Sequence, residues 1–88
     1  MRLDQYLRAS RLVLRRTQAQ ELCAAGAVYV NDKPAKSARE INPGDQIELR
    51  YRQRTLRIRV VALPRQKQTS RDEALTLYEI IADLREVE

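Results

Sequence analysis

The chain has no histidine and one cysteine, Cys23, in 88 residues. Without histidine it lacks the most common general base. Ser10, Ser37 and Ser70 therefore have no imidazole to activate them, no catalytic residue is assigned, and an enzyme in its own right is not expected. One cysteine and no histidine cannot supply a zinc ligand set, so neither a metal site nor a cofactor is expected. A lone cysteine also rules out an intramolecular disulfide and fits a reducing cytosol. No run of about 18 apolar residues occurs, so no membrane span is expected. Arg2 and Asp4 precede no apolar h-region, so the start does not read as a secretory leader.

Positive charge is abundant and unevenly placed. Residues 1–71 hold sixteen of the seventeen basic residues against six acids, a balance of +10. Residues 72–88 hold six acids and Arg85 alone, a balance of −5. A compact basic body with a small acidic end is the outline of a polyanion-binding module, and nucleic acid is the commonest such polyanion.

The length fits one small domain with a thin core. Leu3, Tyr6 and Leu7 recur at helical spacing and predict a short helix over 2–9. Residues 10–16, SRLVLRR, read as a connection. Thr17 to Gln20 has a capping-box pattern and predicts a second helix opening at Thr17, ended by Gly26 in the left-handed region. Val28-Tyr29-Val30 reads as a strand, and Asn31-Asp32 as a turn tolerant of positive φ. Asn42-Pro43-Gly44-Asp45 reads as a type II turn. Ile47, Leu49 and Tyr51, then Leu56, Ile58, Val60 and Ala62, alternate with polar residues and predict a hairpin with one apolar and one basic face. Residues 64–71 read as a linker. Ser70 to Glu73 is a second capping box, and Leu77, Ile80, Ile81 and Leu84 form a helical stripe. The reading is thus α+β: a body over 1–63, a linker over 64–71 and an acidic C-terminal helix over 72–88. Cys23 and the four tyrosines, Tyr6, Tyr29, Tyr51 and Tyr78, are expected in the core.

Two basic sets are candidates for binding. The first is Arg2, Arg8, Arg11, Arg15 and Arg16, joined by Lys33 and Lys36. Forked guanidinium donors match phosphate oxygens, and the start of the second helix adds unpaired N–H groups beside Arg15 and Arg16. The plain alternative is a solvated charged face, but five arginines among sixteen residues opposed only by Asp4 exceed what solvation needs. Asp4 reads as a first-turn acid, or as a partner orienting Arg2 or Arg8. The second set is Arg50, Arg52, Arg54, Arg57 and Arg59 on the hairpin. It is read either as charge that protects a sheet edge or as a second basic surface for RNA or an acidic partner. No aromatic cluster resembles a base-stacking RRM sheet, and no GXXG loop suggests a KH domain.

The order of these signals resembles a known family. Arg2-Leu3-Asp4, Arg16 before a helix, Ala19, Gly26, Val28-Tyr29-Val30-Asn31 and Pro43-Gly44-Asp45 resemble the RNA-binding domain named after ribosomal small-subunit protein four, here the S-four domain. The pattern covers roughly residues 2–50, with Asp32 and Arg15 standing where Gly and Ser are common. The resemblance implies an αL-like arrangement, two short helices packed on a small, bent antiparallel sheet. It also implies that the second helix and adjoining loops bind structured RNA, with Asp4, Thr17 and Gln20 falling in the motif beside the basic residues. Among stand-alone members, MRLDQYLRASRLVLRRTQAQE and SRDEALTLYEII are similar to the ribosome-associated quality control factors of the RqcP family. That likeness implies a cytoplasmic, ribosome-associated monomer. Its implied partners are large-subunit rRNA, peptidyl-site tRNA and the elongation factor RqcH, and its implied role is to support alanine tailing of stalled chains. The heat-shock protein fifteen family, implying large-subunit recycling, is the near alternative. A basic protein-interaction module, or a regulatory subunit of an RNA-modifying enzyme, is the alternative of a different class.

Overall fold

The computed structural model describes residues 1–66 and 69–86. Its elements run α1 (Leu3–Ala9), α2 (Arg16–Ala24), β1 (Val28–Val30), β2 (Lys33–Pro34), β3 (Gln46–Tyr51), β4 (Arg54–Val60), α3 (Arg71–Thr76) and β5 (Tyr78–Arg85). The five strands form one antiparallel sheet in the order β2-β1-β3-β4-β5. The α+β class and the helix pair on a small sheet are as expected.

α1 forms where its apolar spacing says it should. Leu3, Tyr6 and Leu7 are fully buried against Val28, Val30, Ile47, Leu49 and Ile58 of the sheet in one core cluster. Its first N–H groups, which have no partner inside a helix, are taken by the 37–39 segment. The Leu3 N–H donates to the Arg39 carbonyl at 2.8 Å and the Asp4 N–H to the Ser37 carbonyl at 3.1 Å. The Tyr6 hydroxyl donates to the Leu77 carbonyl at 2.6 Å, tying α1 to the C-terminal segment. Burial pushes the Tyr6 phenol pKa upward, helped by the neighbouring Tyr78.

The short turns match the residues that make them. Gly26 ends α2 at φ +74, Asn31 and Asp32 turn the β1–β2 hairpin at φ +50 and +69, and Gly44 takes φ +95. The Asp45 N–H donates to the Asn42 carbonyl at 3.1 Å, closing the turn around Pro43 and Gly44. Tyr6 is in the core, Tyr29 and Tyr78 are half-buried, and Tyr51 at the hairpin tip is exposed, so the expected tyrosine core is only partly formed.

The C-terminal segment corrects the expectation of a long helix. Ser70 caps α3 by accepting the Glu73 N–H at 3.1 Å, but α3 ends at Thr76. The Leu77-to-Leu84 stripe then runs on as β5, paired with β4. The register passes from Arg57↔Ala82 to Ile58↔Ile80, which leaves Ile81 as the extra residue of a β-bulge. That extra residue breaks strand alternation and leaves apolar positions 77, 80, 81 and 84, which mimic helical spacing. β4 offers an unpaired edge, and tertiary pairing outweighs the local pattern. The acidic stretch 78–85 is thus a strand of the basic body's own sheet, and residues 67–68 of the expected linker lie outside the described residues. Ile80, Ile81 and Leu84 remain 57%, 45% and 65% exposed. Among the described residues no helix is long and apolar enough to cross a membrane.

Candidate nucleic-acid interface

Asp4 is the organising residue of the helical face. Its side chain is fully buried at the junction of α1 and α2. Oδ1 accepts from Arg2 Nε at 3.1 Å and from the Gln5 N–H at 2.8 Å. Oδ2 accepts from Arg2 Nη2 at 3.2 Å, Arg16 Nε at 3.2 Å and Gln20 Nε2 at 2.9 Å. Burial works to raise the Asp4 pKa, but hydrogen bonds from Gln20, Arg2 and Arg16 outweigh it and hold the carboxyl below its ordinary value. Asp4 is therefore a charged anchor at neutral pH.

The two arginines it holds are not themselves buried. The Arg2 and Arg16 side chains stay 40% and 43% exposed. Each uses part of its five-donor fork on Asp4 and keeps the rest for solvent or a ligand. Two fixed guanidiniums from two helices are set to grip phosphate oxygens with little further loss of side-chain entropy.

The capping box expected at Thr17 is absent. α2 begins one residue earlier at Arg16, its N-cap is the extended Arg15 with no side-chain cap, and Thr17 is exposed. Gln20 does not reach back along its own helix because the buried carboxylate of Asp4 takes its amide. Of the two partners expected for Asp4, Arg2 pairs with it and Arg8 does not; the additional partner is Arg16.

The other helical-side residues spread around this centre. Arg8 and Arg15 are exposed, and Arg11 follows α1 with φ +60 and donates from Nη2 to the Thr69 carbonyl at 3.0 Å. Lys33 is exposed on β2, and exposed Lys36 lines a shallow recess with Gln20, Cys23, Ala24 and Ser37. Cys23 is half-buried, and burial raises its thiol pKa, helped by the nearby Asp4 charge.

The hairpin arginines are arranged differently. Although residues 50–59 contain no acid, four of the five are paired in space, with Glu48 just before them and with acids of other segments. Glu48 accepts from Arg50 Nε at 2.6 Å and from Arg57 Nη2 at 2.7 Å. These two bonds, Arg57's first, hold the Glu48 pKa low. Arg57 also lies 3.6 Å from Asp32, and Arg50 stacks 3.9 Å above the Tyr29 ring. Arg54 binds both oxygens of Asp83 at 2.9 and 3.0 Å, and Arg59 pairs with Glu79. Among the described residues Arg52 alone of the five makes no ion pair. The acids of β5 reach these arginines only because the segment is a strand, so the pairing was invisible to a helical reading. Among the described residues Arg8, Arg11 and Arg15 of the helical side make no ion pair, whereas four of the five hairpin arginines do.

Comparison with known proteins places the chain in a family. The S4 domain family model matches residues 1–47. The chain is 38% identical to the RQC P-site tRNA stabilizing factor of Streptococcus pneumoniae, covering 97% of this chain and 94% of that protein. It is 35% identical to the Bacillus subtilis protein of the same name, covering 94% of each. The Halalkalibacterium halodurans protein so named is 40% identical over 91% of this chain and 89% of its own. Among solved structures, trimeric Heat Shock Protein 15 of Vibrio cholerae superposes with TM-score 0.83 at 30% identity, over 93% of this chain and 82% of that one. The solution structure of a hypothetical protein superposes with TM-score 0.81, also at 30% identity, over 93% of this chain and 98% of that one. The buried Asp4, the arginines it splays and the helix pair that carries them fall inside the matched region, and the chain belongs to the S4 domain family, among the relatives of the RQC P-site tRNA stabilizing factors.

Proposed function

We propose that this protein binds RNA on the large ribosomal subunit and steadies peptidyl-site tRNA there during ribosome-associated quality control. It does so as a non-catalytic, cytoplasmic monomer. The observation that supports this best is the Asp4 anchor, which holds Arg2 and Arg16 in fixed, part-exposed positions on the face that carries Arg8, Arg11, Arg15, Lys33 and Lys36. Large-subunit rRNA and the tRNA are the RNA partners. In this reading RqcH is the protein partner that adds alanine to the stalled chain while the tRNA is held.

Contact with RNA is dominated by phosphates, since the face is rich in guanidinium and has no aromatic platform. Affinity should fall with a log–log salt slope of about 0.7–0.9 per phosphate neutralised, several units in all. A titration that is flat between low and physiological salt would contradict it. Sucrose-gradient sedimentation should place the protein with large subunits that retain peptidyl-tRNA, in an RNase-sensitive manner. Deletion should abolish alanine tails. The likeness to Heat Shock Protein 15 favours a second reading, recycling of large subunits; deletion that leaves the tails intact but slows subunit reuse would select it.

A further inference from the structure

The loop between α1 and α2 carries an apolar residue that holding phosphates does not require. Leu14 is 81% exposed, more than any other large apolar side chain among the described residues. The neighbouring Val13 is buried, so the core does not need Leu14. Arginines flank it at positions 11, 15 and 16, and no acid occurs between Asp4 and Glu21. Leu14 and Val13, with Arg8, Ala9, Arg11 and Thr69, line a shallow cavity of about 190 Å³.

This loop is held in place from several sides. The Val13 N–H donates to the Leu7 carbonyl at 3.1 Å and the Arg11 N–H to the Arg8 carbonyl at 3.0 Å. The Thr69 hydroxyl donates to the Ala9 carbonyl, and Arg11 Nη2 donates to the Thr69 carbonyl. Arg11 is kept at φ +60, a conformation that side chains other than glycine's adopt at a cost. Such strain persists where surrounding structure imposes it, and it clusters at binding sites. The Thr69 contact engages one donor of the Arg11 fork and leaves most of its five for another acceptor.

An apolar knob beside a recess, ringed by guanidiniums, matches one kind of occupant. A paired RNA helix offers this loop phosphates, 2′-hydroxyls and base edges, but no open base face. An unpaired nucleotide offers a phosphate and also a flat base with an apolar face. We propose that the α1–α2 loop receives one unpaired nucleotide, its base lying on Leu14 and its phosphate held by Arg8 and Arg11. This rests on the RNA-binding reading of the same face and adds to it a preference for RNA with an unstacked base.

The test uses the full chain and two RNA hairpins identical except for one unpaired adenosine in the stem, measured by fluorescence anisotropy at fixed salt. The native protein should bind the bulged hairpin about tenfold tighter, the lower end of what burying one leucine side chain contributes. Leu14→Ser should remove that preference, weakening the bulged hairpin about tenfold and the paired one less than about twofold. Its melting temperature should not move, because Leu14 is outside the core. Leu14→Lys should lose the preference as well while keeping or strengthening binding to the paired hairpin. Equal native affinity for both hairpins, or an equal loss on both in Leu14→Ser, overturns the proposal and leaves general RNA binding standing. Binding of both RNAs unchanged in Leu14→Ser overturns it too and turns Leu14 over to a protein contact. If neither RNA is bound by the native protein, the RNA-binding reading fails and takes this proposal with it.

Discussion

Replacing Asp4 with Asn separates net charge from geometry. The substitution adds one unit of positive charge to a protein that binds a polyanion, so long-range attraction alone predicts tighter RNA binding. The structure predicts weaker binding. Asp4 accepts five hydrogen bonds from Arg2, Gln5, Arg16 and Gln20. An Asn amide can accept at one end only, and its NH₂ would face donors at the other. Charge-assisted hydrogen bonds contribute about 1.5–3 kcal/mol each when buried. Here the arginines are part-exposed and recover hydration when released, so the net cost should be about 2–3 kcal/mol rather than the sum. For a domain of this size that lowers the melting temperature by about 8–24 °C. At a temperature where the variant is still folded, anisotropy with a hairpin RNA should show affinity reduced about tenfold, because two ordered arginines become mobile. Retained or tighter binding would refute the view that Asp4 works by holding Arg2 and Arg16. The pH dependence follows from the lowered pKa of Asp4. A carboxyl whose folded pKa lies below its unfolded value of about 3.9 stabilises above that value, and this is lost as pH falls through the folded pKa. The stability gap between native and Asp4→Asn proteins should therefore be full at neutral pH and close as pH drops below about 4.

Arg16→Ala should weaken ribosome association more than Arg8→Ala in co-sedimentation, because Asp4 orders Arg16 and not Arg8. It should also lower the melting temperature modestly, since Asp4 loses a partner; a larger effect of Arg8→Ala would misplace the RNA surface. Truncation after Gln68 removes α3 and β5, strips the Tyr6 hydroxyl of the Leu77 carbonyl and bares the edge of β4. The truncated chain should lose its cooperative melt and aggregate, and a soluble fragment with native RNA affinity would show that β5 is dispensable to the fold. Glu48→Gln should free Arg50 and Arg57, lower stability only slightly and leave the Leu14-dependent hairpin preference unchanged. A change in that preference would bring the hairpin into the interface.

Elements made by near neighbours were readable in the chain. α1 shows in the spacing of Leu3, Tyr6 and Leu7. The turns show in Gly26, Asn31-Asp32 and Pro43-Gly44, whose backbone preferences act within a few residues. The excess of arginine over acid near the start was likewise plain, and the motif order pointed to the S4 domain family. The site's centre was less legible. Asp4 was readable as a partner for Arg2, but its hold on Arg16 and Gln20 needs α1 and α2 to pack, and the same packing takes Gln20 from the capping role its spacing suggests.

β5 shows most clearly what lay outside the sequence. Leu77, Ile80, Ile81 and Leu84 satisfy helical spacing as well as any stripe in the chain, and Ser70 does cap a helix just before them. The segment is a strand because β4 has an edge to pair and Arg54 and Arg59 have charges that Asp83 and Glu79 meet. The one-residue bulge at Ile81 conceals the strand's alternation. Composition and local spacing by themselves determined a basic α+β domain, because helical spacing, turns and charge counts depend on residues close in the chain, and the resemblance of the motif order added the S4 family. Which arginines are paired with acids was decided only in three dimensions, because ion pairs form between strands whose adjacency no local pattern encodes.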